Sequence, residues 1–530
     1  MIESRENDQV KLNLTDGLHR QIRCAPDAVG TIFGDRRRTW RELADRTARL
    51  AAVLQQIGMA PGDRVAMLAL NSDRYLEYML GVWWGGGALN PANTRWSAAE
   101  VAFSLDDCDT NILLVDDHFL SWCDDLRALS RSLKTIVYFG DGIAPEGVLH
   151  AEQLMREARP VGDARRGGDD LAGVFYTGGT TGFPKGVMLS HNALLGNAIC
   201  NLLDVAYGSD EVVLAVAPIF HQAGMCILIR ALVRGCRTVY VEAFEPAQVL
   251  RAITTERATF TLLVPTMLQR LIEHPEFGEF DLGSLRKIVY GASPINEELL
   301  GRLLKALPQV DFYQGYGMTE TGGPYTILPP HCHRSDDPAD KARLRSAGRP
   351  AWGIEMQIQD LDGAENQVGA VGEIVARGIG VMTGYWNREQ ETTDAFRNGW
   401  LRSGDMGYVD PEGFLFIVDR LKDMIVSGGE NVYSAEVENA LARHPAIASC
   451  AVIGIPSARW GEQVHAVVVL RTGAEATSAE LRDHCRKYIA GYKCPASVEF
   501  RDALPVSAAG KLLKHELRGP YWAVRERAVG

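Results

Sequence analysis

The run Tyr176-Thr-Gly-Gly-Thr-Thr-Gly-Phe-Pro-Lys185-Gly follows directly on an apolar stretch and gathers the groups that hold a polyphosphate. Gly178, Gly179 and Gly182 lack a Cβ, so the main chain there can approach a ligand closely. Thr177, Thr180 and Thr181 add hydroxyl donors, and Lys185 adds a positive charge. A Gly/Thr turn between a strand and a helix would produce the same pattern with no ligand at all. A Walker A loop is excluded, because Pro184 stands where that motif places the glycine before its lysine. His331-Cys332-His333 has no further ligands at a metal-site spacing and reads as structural. Trp83-Trp84, in apolar surroundings, reads as core.

Such side chains act only where secondary structure positions them. Residues 171–176, 211–217, 285–291 and 310–314 are short apolar runs of strand type, and 192–203 is an amphipathic helix between two of them. That alternation predicts parallel α/β layers. The apolar run 79–89 reads as a buried helix, and it is far shorter than the ~20 residues of a membrane span. The segment 329–345, crowded with Pro, Asp and Arg, reads as an exposed loop. After Leu421 the spacing predicts a helix over 434–443, strands over 449–455 and 465–470, and a helix opened by a Thr477-x-x-Glu480 capping box. From Leu421 onward 14 Lys and Arg face 12 Asp and Glu, a local excess of +2 in a chain whose net charge is −12. The fold class expected is therefore α/β, with a large multi-layered body over 1–421 and a smaller α+β domain over 422–530.

Five further stretches follow the glycine-rich loop in order: Tyr316-Gly-Met-Thr-Glu320, Gly399-Trp-Leu-Arg-Ser-Gly-Asp405, Asp419-Arg-Leu-Lys-Asp423, Ser427-Gly-Gly-Glu-Asn431 and Pro505-Val-Ser-Ala-Ala-Gly-Lys511. With them the chain resembles the adenylate-forming (AMP-binding) superfamily, in its acyl-CoA synthetase or acid–CoA ligase branch, over its whole length. The resemblance implies that Lys511 is the catalytic lysine on a mobile C-terminal lid, with Lys422 as the hinge. A cation touching both the carboxylate and the α-phosphate lowers the barrier to their approach. By the same resemblance Glu320 and Thr180 face Mg²⁺, for which a carboxylate is a suitable hard ligand, and Thr319 faces the phosphate. Tyr316 lies against adenine, and Asp405 and Arg420 hold the ribose. Thr177, Lys185, Ala292, Ser293, Gln314, Gly315, Gly428, Gly429 and Glu430 complete the nucleotide contacts that the resemblance implies. The chain departs from many relatives at Gly178, where they carry Ser, and at Lys514, where they carry Arg.

The acid is expected beside His221, Ala223, Gly224, Gly291 and Gly317. These residues are small or uncharged, and no Asp stands between Val212 and Arg230 to meet a substrate amine. The implied reaction is ATP-dependent thioester formation on coenzyme A from an apolar fatty or aryl carboxylic acid. Transfer to a carrier-protein thiol, or a silent nucleotide-binding relative, would share these motifs. The net charge argues against nucleic acid as a partner. The charged opening MIESRENDQV, the absence of a membrane-spanning run and ten scattered cysteines without metal spacing give the expectation of a cytoplasmic protein with no integral membrane segment. The resemblance also admits a homodimer.

Overall fold

The computed structural model describes residues 11–177, 184–292, 295, 297–334, 337–360, 362–420, 423–427, 430–457, 459–506 and 512–522. The chain divides into two compact units. The first comprises Met1–Leu344, Gly348–Glu355 and Arg377–Phe396, and the second Arg345–Ala347, Met356–Ala376 and Arg397–Gly530. The domain limit expected at 421/422 falls on two residues outside the described set.

The first unit carries a nine-stranded and an eight-stranded sheet. In the nine-stranded sheet Val212–Ala215, Phe260–Leu262, Lys287–Gly291 and Asp311–Met318 lie side by side and parallel, and Gly323–Leu328 returns antiparallel to the last of them. The apolar runs in the sequence thus become buried parallel strands, which need covering on both faces. The helix His191–Asp204 starts where Ser190 accepts from the Ala193 N–H, and the helix Gln222–Arg234 ends on Gly235 in the left-handed region. In the eight-stranded sheet Leu171–Thr177 pairs antiparallel with Lys185–Ser190.

Two expectations change. The run 79–89 divides between the wholly buried helix Asp73–Trp84 and the strand Ala88–Pro91, because Gly86 turns the chain at φ +87°. The segment 329–345 contains two short helices, His331–Arg334 and Pro338–Arg343, and buries Cys332 and His333. Trp83 and Trp84 are core, and their indole N–H groups donate to the carbonyls of Ala172 and Val161, each at 2.9 Å.

The second unit contains two five-stranded sheets. In one, Trp400–Val409 pairs antiparallel with Leu415–Arg420. The other is covered by the helices Ser434–Ala442 and Ser478–Cys485 around a core that includes Ile425, Val437, Leu441, Val452, Ala466 and Leu481. Thr477 and Glu480 form the capping box that their spacing predicts. No helix among the described residues is long and apolar enough to cross a membrane.

Candidate active site

Thr177 and Lys185 are directly opposed in the antiparallel pair, so the glycine-rich loop joins two strands of a hairpin and not a strand to a helix. The loop residues Gly178, Gly179, Thr180, Thr181 and Gly182 lie outside the described set. At the base of the hairpin the Tyr176 hydroxyl donates to Asp107 at 2.8 Å, and Arg388 donates to the other oxygen of Asp107 at 2.8 Å.

The Lys185 ammonium stands 5.2 Å from the ring centroid of Tyr385, and the Tyr385 hydroxyl donates to Glu320 Oε1 at 2.9 Å. One tyrosine therefore presents its face to a cation and its tip to a carboxylate. Burial, and then the charge of Glu320, push the Tyr385 hydroxyl well above its ordinary pKa, so it stays protonated and remains a donor. Glu320 is only 8% exposed and lies in the turn Thr319–Thr321, with the Met382 N–H donating to its carbonyl at 2.8 Å. A lysine beside a glycine-rich loop and a shielded hard-oxygen donor are the charges that a metal–polyphosphate needs.

The turn that carries Glu320 is anchored from two helices. Gln222 Nε2 donates to the Gly322 carbonyl at 2.7 Å, and Asn197 Nδ2 donates to the carbonyls of Pro324 at 3.0 Å and Thr321 at 3.3 Å. Tyr316 tilts against Tyr325 with ring centroids 5.0 Å apart. The Tyr290 hydroxyl lies 3.2 Å from Gln314 Oε1 and 2.9 Å from His333 Nε2. His333 Nδ1 faces the Pro329 carbonyl at 3.1 Å, and since a carbonyl only accepts, Nδ1 carries the proton and Nε2 accepts from Tyr290. Burial lowers the His333 pKa to about 4. His333 is thus a satisfied structural histidine. His331, Cys332 and Asp340 do bring their ligand atoms within 4.8 Å of one another, although Asp340 already accepts from Arg343 at 2.8 Å.

The residues expected around the acid gather where the helix Gln222–Arg234 meets the nine-stranded sheet. Ala223 packs against the cluster that includes Cys226, Leu262, Val289, Tyr313 and Ile327, and Gly291 is opposite Gly315 in the parallel register. Part of their smallness is imposed by the main chain. A Cβ at Gly224 would stand 2.3 Å from the Pro218 carbonyl, and one at Gly291 would stand 2.3 Å from that of Gly315. Ala292 holds φ +64°, an uncommon left-handed conformation for a residue with a side chain. His221 is exposed at the N-cap of the helix, where its carbonyl accepts from Gly224 and Met225 at 3.0 Å. Gly317 is exposed on its strand.

In the second unit Asp405 is 8% exposed and opposes Arg420 across the pair of strands. The side chains of Arg420 and Glu430 lie outside the described set, as do Ser293, Lys422, Gly428, Gly429 and Lys511. Lys514 is buried and pairs with Glu438 at 2.7 Å. Burial acts to lower the Lys514 pKa, but Glu438 and Asp419 outweigh it and raise the value, so the ammonium stays charged. Asp423 next to the expected hinge pairs with Arg518 at 2.7 Å. Sequence reasoning missed Tyr385, Gln222, Asn197 and Asp107. Tyr385 is 65 residues from its partner Glu320, and Asp107 is 69 from Tyr176 and 281 from Arg388.

Two largely parallel sheets, a Gly/Thr hairpin and a lysine and a shielded carboxylate held about one tyrosine define a nucleotide-handling α/β enzyme. Residues 18–386 match the AMP-binding enzyme family, and residues 436–511 match the AMP-binding enzyme C-terminal domain. The chain belongs to that family and is an enzyme of its AMP-forming acid–CoA ligase group. It is similar to a feruloyl-CoA synthase of an Amycolatopsis species, 38% identical over 94% of this chain and 97% of that one. A long-chain-fatty-acid–CoA ligase of Mycobacterium tuberculosis is 35% identical over 92% of this chain and 94% of its own. The fold is similar to the crystal structure of an anthranilate CoA ligase in complex with anthranoyl-AMP, with a TM-score of 0.87 and 26% identity over 97% of this chain and 98% of that one.

Proposed function

We propose that this enzyme joins an apolar fatty or aryl carboxylic acid to coenzyme A through an acyl-adenylate. A carboxylate oxygen attacks the α-phosphorus of ATP and the bond to pyrophosphate breaks; the CoA thiolate then attacks the acyl carbonyl and AMP departs. The observation that carries the reading is the Lys185–Tyr385–Glu320 arrangement beside the glycine-rich hairpin. Relatives named for ferulic and long-chain fatty acids support the acid class.

In this reading Lys185 and the backbone and hydroxyls of 177–182 bind the phosphates, and Thr319 orients them. Glu320 and Thr180 supply hard oxygen ligands for Mg²⁺, and the Tyr385 hydrogen bond fixes the Glu320 carboxylate. When bound, Mg²⁺ neutralises phosphate charge. Tyr316, Ala292, Ser293, Gln314 and Gly315 contact the base side of the nucleotide, and Asp405 with Arg420 holds the ribose. Lys511 contacts both anions during adenylation. A rotation at Lys422, between domains 1–421 and 422–530, then exchanges Lys511 for Gly428, Gly429 and Glu430. His221, Ala223, Gly224, Gly291 and Gly317 surround the acyl group.

The test is incubation with ATP, Mg²⁺, free CoA and a panel of acids, followed by mass spectrometry. AMP and an acyl-CoA are expected; adenylate without thioester would overturn the CoA step. Lys511→Ala should abolish pyrophosphate release yet leave thioester formation from synthetic acyl-adenylate largely intact. Equal loss of both steps would remove Lys511 from its assigned role.

A further inference from the structure

Arg230 is wholly buried, and none of its three guanidinium nitrogens completes a hydrogen bond of full geometry among the described residues. It stands on the helix Gln222–Arg234 on the same face as Ala223 and Cys226, at i, i+3 and i+7. Ala223 and Cys226 both pack into the cluster of Leu262, Val289, Tyr313 and Ile327, at the strands that end in Gly291 and Gly315. Tyr207, of the same cluster, is a hydrogen-bonding neighbour of Arg230 and Asp204 lies within the field of its charge, yet neither the Tyr207 hydroxyl nor Asp204 Oδ2 completes a hydrogen bond of full geometry. A buried guanidinium whose donors are so weakly met is unfavourable unless something brings acceptors to it.

The two ends of this helix differ in chemistry. Its first turn faces the reaction, since Gln222 ties it to the Gly322 carbonyl two residues beyond Glu320. Arg230 lies seven residues beyond Ala223, a rise of about 10 Å. We propose that Arg230 marks the far end of the acyl site and binds a hydrogen-bond-accepting oxygen that the acid carries about 10 Å from its reacting carboxyl. The inference rests on the placement of the acyl group at Ala223 and Gly291 given above. It refines the substrate to an acid with an apolar middle and a carboxylate or ketone at its tip. The residues expected around the acid, His221, Ala223, Gly224, Gly291 and Gly317, carry no fixed charge, and Arg230 is not among them. A planar fork of donors suits a carboxylate in two-point contact and a ketone in one.

Matched acids test this: nonanoate against nonanedioate, and cinnamate against para-carboxycinnamate and para-acetylcinnamate, with pyrophosphate release as the readout. The wild-type enzyme should favour the acceptor-bearing member at least tenfold in kcat/KM, mainly through KM. Arg230→Met should reverse that preference while keeping or raising turnover of nonanoate and cinnamate, and Arg230→Lys should fall between. A wild-type enzyme with no preference within the pairs overturns the inference whether or not the variants fold. So does an Arg230→Met that loses both members of each pair equally, which would mark the arginine as structural. No pyrophosphate with any acid would overturn the acid–CoA ligase reading as well, whereas turnover of cinnamate with no effect of the tip would leave that reading standing and remove this one.

Discussion

The first unit draws arginines out of solvent, partly or wholly, in two contrasting settings. Arg36, Arg38, Arg46 and Arg74 meet Asp73, Glu77, Asp141 and Glu152, and Asp73 and Glu77 are shut off from solvent. Arg46 grips Glu77 through two bonds of 2.7 and 2.8 Å, and Arg36 grips Asp73 through two of 2.8 and 2.6 Å. Burial acts to raise the Asp73 pKa, but Arg36 and Arg38 outweigh it and hold the carboxyl below its ordinary value. A cavity of about 320 Å³ opens beside this cluster, but Arg38, Arg46 and Arg74 on its wall are already paired with carboxylates. Arg230 is more deeply buried than any of these four and makes no ion pair among the described residues. The residue type is the same and Arg230 is the more deeply buried, yet the first set is satisfied by the fold and the second calls for a ligand. What separates a structural from a functional buried charge is the count of its partners.

The largest effect should come from breaking the paired set. Glu77→Leu takes one of two carboxylates from each of Arg38 and Arg46, which keep Asp73 and Glu152, and should lower the unfolding free energy by about 3 kcal/mol. Urea titration measures it, and a loss under about 1 kcal/mol would mean that these arginines find other partners.

His333 and His191 are an intermediate case, because each is buried with a partner that suits its neutral form. Burial lowers both from 6.5 to about 4. The unfolded chain then binds more protons than the folded one between these values, so stability is complete above pH 6.5 and declines as the pH falls toward 4. The loss is up to about 3 kcal/mol per histidine. Melting curves across that interval should show the decline, and His333→Gln should remove about half of it, leaving the part due to His191. A melting temperature that is level from pH 6.5 to 4 would contradict the lowered values.

Arg230→Met should leave the unfolding free energy unchanged or raise it by about 1–2 kcal/mol, since it removes an unpartnered charge and keeps the apolar volume. A loss of more than about 2 kcal/mol would place Arg230 with the structural set and erase the contrast. The smallest effect belongs at the surface. Arg41 pairs with Asp27 at 2.9 Å, both are exposed, and Arg41→Ala should not change stability measurably by the same titration.

Elements with a strong local pattern were legible in the sequence: the strand 171–176 is Leu171–Thr177, the helix 192–203 is His191–Asp204, and the Thr477–Glu480 box caps its helix as its spacing requires. Legibility ended where the neighbours are distant in sequence. Between residues 79 and 89 a glycine turn divides one apolar run into a helix and a strand, which hydropathy alone does not distinguish. In the segment 329–345, polar composition suggested a loop, yet a bond to Tyr290, 43 residues earlier, keeps His333 inside.

By itself the sequence determined the family, the order of its motifs and the residue types available to the chemistry, because motif spacing and strand and helix periods are local properties of the chain. Only the tertiary structure decided which charges have partners. It placed Tyr385 between Lys185 and Glu320, tied Gln222 to the turn beyond Glu320, and showed glycines 224 and 291 to be required by neighbouring carbonyls as well as by any ligand. It also left Arg230 buried without an ion pair among the described residues while four other arginines found carboxylates. The physical reason is that a hydrogen bond or an ion pair depends on distances of about 3 Å between atoms, and residues far apart in the chain reach such distances only when sheets and helices pack.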